Sequence, residues 1–353
     1  MTSPNNSDSK RDLNGNGRRV LITGGAGFIG SHLSDALLSR GYKVTIIDDV
    51  STGRLDNVEH LQDNGDFSVV IESITNEVVM DRLMSETDVV YHLAAAVGVD
   101  LIVNDPVRVI ETNVLGTHAV LDAASRYRSK VLIASTSEIY GKSESAPFAE
   151  DDDRLLGPTT KARWCYSTSK AVDEFLALAY HRQKGLPVTI FRLFNTVGPR
   201  QTGMYGMVVP RFVEQAVKGE ALTVYGDGKQ SRCFCDVRDV VRAIVGLAES
   251  DAAVGNVFNI GSEREISIME LARLVRRIVG GGDDPILVPY EQAYQPGFED
   301  MMRRVPDTRR IREAIGWKPE IDLETTIADV AAQLSSEAGN LTAANRAAVN
   351  RAQ

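Results

Sequence analysis

The chain has 353 residues, 43% hydrophobic and 25% charged, with a formal net charge of −9. That length suggests about two lobes, and the balance excludes wholesale disorder and a broad nucleic-acid or anionic-membrane footprint. Three cysteines (Cys165, Cys233, Cys235) cannot make a disulfide framework, the last two are too tightly spaced for a zinc knuckle, and no metal is expected. No apolar run reaches membrane-spanning length and the polar N-terminus lacks a signal-peptide core, which points to a cytoplasmic protein.

Residues 1–18, rich in Asn, Ser, Asp and Gly, read as a disordered leader. From Arg19, short apolar runs alternate with helical stretches. The runs Val20–Thr23, Lys43–Asp48, Phe67–Ile71, Asp88–Leu93, Lys130–Ser135 and Val188–Leu193 have the character of strands buried on both faces of a parallel sheet. Between them lie amphipathic segments such as Ile29–Ser39, Val107–Arg126 and Ser167–Gln183. The alternation predicts an α/β fold, a Rossmann-type doubly wound parallel sheet over 19–195. Past Asn195, helical stretches (Val208–Lys218, Val237–Glu249, Ile268–Val279, Thr308–Ile315, Leu323–Leu334) are set among Gly- and Pro-marked loops. They predict a smaller α/β substrate lobe over 196–335, followed by a flexible tail over 336–353.

The segment from Val20 to Gly30 reads as strand, glycine turn, helix. Gly24 permits the tight turn, Gly27 lets backbone N–H groups approach a pyrophosphate, and Gly30 lets the helix pack on the strand. The second strand ends in Asp48-Asp49, where a carboxylate bonds the adenosine ribose and repels a 2′-phosphate. NAD is therefore the expected cofactor, rather than NADP.

Tyr166-Ser-Thr-Ser-Lys170 puts a phenol and an ammonium one helical turn apart. A tyrosine titrates near 10, so making it a base at neutral pH costs about 4 kcal/mol, which nearby positive charge can supply. Ser135-Thr136-Ser137-Glu138-Ile-Tyr-Gly leaves the end of the fifth strand, where open α/β sheets hold their ligands.

These segments, with His92-Leu93-Ala94-Ala95, Asn113-x-x-Gly116-Thr117 and Arg192-Leu193-Phe-Asn195, resemble the extended short-chain dehydrogenase/reductase superfamily in its nucleotide-sugar epimerase/dehydratase group, from roughly Arg19 to Leu334. The resemblance implies that Tyr166 takes the proton of a sugar 4-hydroxyl while C4 passes hydride to NAD, giving a 4-keto sugar. Lys170 would tune the tyrosine and bind the nicotinamide ribose, Thr136 would bond O4, and Asn113 would order the neighbouring helix. Further cofactor contacts it implies are Phe28, Ile29, Gly53, Ile74, Ser135 and Leu193, together with Leu93, Ala94 and Ala95. Ser73 stands where the family usually has an aspartate for the adenine amine, with Glu72 beside it.

For the substrate, Thr223-Val224-Tyr225 resembles the segment that holds uracil in UDP-sugar enzymes. Asn195, Arg232 and Arg304 resemble the diphosphate-binding set, and Val97 and Ser137 line the sugar. Two phosphates in a protein of net charge −9 need local cations, and the guanidinium fork suits them. The fate of the 4-keto sugar turns on Glu138: simple 4-epimerisation needs no further acid or base, whereas decarboxylation or dehydration does. Thr136-Ser137-Glu138 resembles the turn of UDP-glucuronate decarboxylases, GDP-mannose dehydratases and some hexuronate-type epimerases alike. The stretches Lys161–Lys170 and Gly228–Phe234 resemble UDP-glucuronate decarboxylases, while the stretch from Gly198 to Val208 is closer to epimerases. Met204 is apolar, so no cation is assigned to a sugar carboxylate, and Thr136 and Ser137 are its expected donors.

The sequence reading places a UDP-sugar 4-epimerase first, with UDP-glucuronate/UDP-galacturonate preferred and UDP-glucose/UDP-galactose possible. UDP-glucuronate decarboxylase, a 4,6-dehydratase and a non-catalytic NAD-sensing regulator are the alternatives. The family's usual homodimer would form through Val107–Arg126 and Ser167–Gln183.

Overall fold

The computed structural model describes residues 17–143, 146–203, 207–281, 284–293 and 301–351. Most of the expected leader and Met204 lie outside them.

Seven parallel strands form the central sheet: β1 (Arg19–Thr23), β2 (Lys43–Asp48), β3 (Phe67–Ile71), β4 (Val89–His92), β5 (Lys130–Thr136), β6 (Val188–Leu193) and a last strand, Val257–Ile260. Their spatial order is Val257–Ile260, β6, β5, β4, β1, β2, β3. The direction of winding therefore reverses between β1 and β4, and the carboxyl ends there form the ligand crevice of such sheets.

Successive strand residues point to opposite faces. Val20 and Ile22 join a core with Leu33 and Leu37 of the helix Phe28–Leu38 and with Val240 and Ile244 of the helix Val237–Glu249. Leu21 points the other way, to a core with Met80 and Met84 of the helix Glu77–Ser85, Val120 and Leu121 of the helix Gly116–Tyr127, and Ala177 of the helix Arg163–Lys184. With both faces covered, the sheet needs the near-continuous apolar strands that the sequence shows.

The helix expected over Val107–Arg126 is interrupted. Pro106–Ile110 is α-helical, Glu111–Leu115 is a π-helical turn, and Gly116–Tyr127 is α-helical again. The widened turn carries Asn113, whose side chain is buried and bonded across to another segment.

The second lobe has its own core, in which Val209, Phe212 and Val213 meet Leu271, Leu274 and Val275 of the helix Ile268–Val279 and Ile327 of the last helix. The expected boundary at 196 is crossed again further along: Val237–Glu249 covers the sheet and Val257–Ile260 pairs with β6. The backbone edge of β6 and the apolar face of that helix give these residues a partner in the first lobe. The last helix runs from Leu323 to Arg351, through the residues expected to form a flexible tail. Among the described residues, no helix is long and apolar enough to cross a membrane, and no cluster of metal-ligating side chains occurs.

A crossover segment ties the lobes together next to the crevice. The Phe148 N–H donates to the Val305 carbonyl and the Asp307 N–H to the Phe148 carbonyl, each at 2.8 Å. Asn259 holds the same segment through the Phe148 carbonyl and the Glu150 carboxylate, and it accepts the Tyr140 hydroxyl. Arg192 bonds Glu174 through two nitrogens and reaches Tyr140 and the Glu150 carbonyl. This strap delivers Arg304, next to Val305, to the end of β5.

Candidate active site

The glycine turn is built without room for side chains. Gly24 has φ +71° and its N–H donates to the Ile47 carbonyl at 2.8 Å. A Cβ there would lie 2.8 Å from the Ala94 nitrogen, and one on Gly30 would lie 2.3 Å from the Gly24 carbonyl oxygen. Gly27 is the N-cap of the helix Phe28–Leu38, so free N–H groups at Phe28 and beyond open toward the crevice. Gly25, which the sequence reading left unassigned, is as tightly confined: a Cβ would lie 2.3 Å from Cβ of Ile46.

Asp48 ends β2, buried, accepting from the Ala26 N–H at 3.0 Å and the Val50 N–H at 2.8 Å. Burial raises its pKa, against the pull of those two donors. A Cβ on Gly53 would lie 3.0 Å from both Asp48 carboxylate oxygens. The glycine turn, the helix start and the space kept clear over Asp48 fit an adenine dinucleotide. Asp49 is exposed and caps its own turn at Ser51. Ser73 is half-buried, its N–H taken by Glu72 and its hydroxyl paired with Thr75; Ile74 is buried against Gly116. The strand end Leu93-Ala94 is pinned to Thr23, and Ala96 donates to Asn113 at 2.8 Å. Asn113 in turn donates to Ser169 at 3.0 Å, one residue before Lys170. Ser135 is buried with its hydroxyl on Glu174, directed to the structural web rather than to the crevice.

Tyr166 is buried in the first turn of the helix Arg163–Lys184. Burial raises its pKa, Glu138 and Asp173 push the same way, and a hydrogen bond from Thr136 and the charge of Arg304 oppose them. Thr136 caps the short 3₁₀ turn Ser137–Tyr140, accepting the Glu138 N–H at 3.2 Å, and Ser137 is buried inside it. Lys170, one turn on from Tyr166, is buried and bonded to Asp173 at 2.8 Å.

Glu138 is the densest charge centre of the crevice. Arg163 donates to it twice, Nη1 to Oε2 at 2.6 Å and Nη2 to Oε1 at 3.1 Å, and the Arg304 guanidinium lies 3.5 Å from Oε1. Burial works to raise its pKa, but Arg163, Arg304 and Arg232 overcome this and hold it below the ordinary glutamate value. Glu138 is an ionised carboxylate. The sequence reading missed Arg163, although it lies one helical turn before Tyr166 on the same face.

Among the expected substrate residues, Arg232 and Arg304 are buried beside this centre, and Asn195 is half-buried, bonded to the Cys233 carbonyl. Thr223 and Tyr225 lie further off, with Arg211: it donates to the Thr223 hydroxyl at 2.8 Å, and its guanidinium lies 3.9 Å from the Tyr225 ring centre. Arg211 was also missed. Val224 is fully buried in the second core, and Val97 is exposed. Leu193 ends β6, half-buried.

Residues 21–330 match the family model described as GDP-mannose 4,6 dehydratase. The chain belongs to this family. Members of this GDP-mannose 4,6-dehydratase family are extended short-chain dehydrogenases/reductases that use NAD on nucleotide sugars, as epimerases, decarboxylases or dehydratases. The chain is 44% identical over 308 residues to the UDP-N-acetyl-alpha-D-glucosaminuronate decarboxylase of Bacillus cytotoxicus, covering 87% of this chain and 94% of that protein. It is 39% identical to UDP-glucuronic acid decarboxylase 1 of Xenopus tropicalis, covering 87% of this chain and 70% of that one. Its fold matches the UDP-glucuronic acid 4-epimerase of Bacillus cereus, solved with UDP-glucuronic acid and NAD, with a TM-score of 0.79, 28% identity, and coverage of 90% of this chain and 99% of that chain. The expected family, fold class and cofactor stand.

Proposed function

We propose that this family member is a UDP-hexuronate decarboxylase. The observation that carries the reading is Glu138, kept ionised by Arg163 and Arg304 beside Tyr166. Inversion at C4 gives no work to such a centre. Decarboxylation does, because C5 needs a proton once carbon dioxide has left; the C6 carboxylate itself is common to both readings of a uronate substrate. The sequence reading assigned no cation to that carboxylate; Arg163 and Arg304 together outweigh Glu138 by one positive charge. The decarboxylase relatives support this reading over the 4-epimerase placed first from the sequence.

Bound NAD supplies the two-electron oxidation at C4 and its reversal. Tyr166 accepts the 4-hydroxyl proton, with Thr136 bonded to the phenol and Lys170 one turn away. With C4 a ketone, the C5–C6 bond breaks: its electron pair passes to the ketone oxygen and carbon dioxide leaves. The Glu138–Arg304 pair would hold a water that relays a solvent proton to C5 of the resulting enolate, one proton being consumed for each carboxylate lost as carbon dioxide. Arg232 and Asn195 hold the diphosphate, and Tyr225 with Arg211 and Thr223 hold the base.

The deciding experiment is proton NMR of the purified enzyme with UDP-glucuronate, UDP-N-acetylglucosaminuronate and UDP-glucose in turn. A nucleotide-linked pentose or 4-keto-pentose from a uronate, and no product from UDP-glucose, is the expected outcome. A hexuronate with an axial 4-hydroxyl and its C6 intact would return the assignment to the 4-epimerase, the reading favoured by the likeness to the Bacillus cereus enzyme.

We also propose a homodimer. Val107 and Leu115 before the Gly116–Tyr127 helix, and Phe175 on the Arg163–Lys184 helix, are more than half exposed, an apolar set that a second copy would cover. Sedimentation velocity should show a dimer and Phe175→Glu should shift it toward monomer; a monomeric parent would dismiss the idea.

A further inference from the structure

Tyr166, Lys170 and Asp173 fall at i, i+4 and i+7 of the helix Arg163–Lys184, along one face. Lys170 Nζ donates to Asp173 Oδ2 at 2.8 Å, and both side chains are shut away from solvent. Burial raises the Asp173 pKa, while Lys170 and the Thr117 hydroxyl draw it down. Thr117 also meets His92 Nε2 at 3.0 Å, and His92 Nδ1 meets the Thr23 hydroxyl at 2.8 Å. Burial holds His92 at about 3, so this imidazole is neutral and brings no charge. Buried polar groups thus line up from Lys170 and Asp173 past Thr117 to His92 and Thr23, the last three joined by hydrogen bonds and Thr23 fixing the strand end at Ala94. A buried ion pair is weak evidence for stability, because desolvation consumes most of the attraction. Its value here has another source.

We propose that Asp173 is a positioning residue: its carboxylate anchors the Lys170 ammonium and offsets its charge, so that Tyr166 releases its proton only when a cationic nicotinamide lies against it.

The charged groups around Tyr166 are Glu138 from the turn after β5, Arg304 from the second lobe, and Arg163, Lys170 and Asp173 from its own helix. Glu138 is matched by Arg163 and Arg304, and Glu174, beside Asp173, is matched by Arg192. Asp173 answers Lys170. With that carboxylate in place the lysine fixes a position without by itself ionising the phenol, and the positive ring of the oxidised cofactor becomes the remaining contribution. The cofactor-free enzyme thus keeps its base protonated.

The inference rests on Tyr166 being the proton acceptor, but its main test needs no substrate. The dissociation constants of NAD and NADH are measured by calorimetry on cofactor-stripped parent, Asp173→Asn and Asp173→Ser. Removing the carboxylate should weaken the cationic NAD relative to neutral NADH by about tenfold, one pH unit's worth of charge interaction. It should also move the acid limb of the kcat profile to lower pH by about one unit, since a negative charge that disfavours the phenolate is gone. An unchanged NAD-to-NADH ratio and an unmoved acid limb in a folded variant would overturn the proposal. So would both variants failing to fold by circular dichroism, which would make Asp173 a matter of stability alone. If Tyr166→Phe kept full activity, the proton-acceptor reading would fall instead, and the cofactor ratio would still report on Asp173.

Discussion

Tyr166→Phe lowers turnover by about two to four orders of magnitude, the range for a positioned acid–base group, with NAD still bound and the melting temperature close to the parent's. The reason is local. The phenol is buried, its hydrogen bond is to Thr136, and the substitution removes a proton acceptor without opening a cavity. Burial and the two carboxylates keep this phenol protonated in the resting enzyme, so activity should rise with pH until the tyrosine ionises in the loaded enzyme, and fall as pH drops below that point. A Phe variant within tenfold of the parent in a coupled carbon-dioxide assay would mean that another group takes the proton.

Glu138→Gln produces the second large effect: carbon-dioxide release falls by at least about a hundredfold. Its carboxyl sits below the ordinary glutamate value, because Arg163, Arg304 and Arg232 outweigh burial, so it stays ionised throughout the working pH range and does not itself shape the acid limb. The amide keeps the size but not the charge, leaving Arg163 and Arg304 facing each other uncompensated. Breaking a buried pair on one side typically costs 3–5 kcal/mol, so the melting temperature should fall as well. A 4-epimerase would tolerate this change with a modest loss of rate. Near-parental epimerisation of UDP-glucuronate by Glu138→Gln, read by NMR, would therefore count against the decarboxylase.

The two halves of the site differ in how far they could be read from the chain. The glycine turn, Asp48 and the Tyr166–Lys170 pair could be proposed from the chain because each depends on residues adjacent in sequence or one turn apart, and β1, which leads into the glycine turn, lies beside β4 where the winding reverses. Arg163 was not legible as a partner of Glu138, since the two come from different elements and meet only when the 3₁₀ turn folds against the helix start. Its spacing from Tyr166 was the available signal. Arg211 was hidden for the same reason, and stacks on Tyr225 from another element. Ser135 shows the converse: family position suggested a cofactor contact, and packing gave its hydroxyl to Glu174. The boundary at 196 was misplaced for a topological reason, because nothing local in Val257–Ile260 says that it will travel back to β6.

That return has a consequence for anyone cutting or recombining such enzymes. A fragment ending at 195 would lose both the outermost ladder partner of β6 and the helix roofing that side. Its bare margin would be a template for a stranger's strand. Grafting a foreign sugar pocket onto this scaffold therefore cannot be done at a single seam. The native segment 237–260 has to stay with its nucleotide-binding half, and the exchange needs three splice points, after 195, before 237 and after 260.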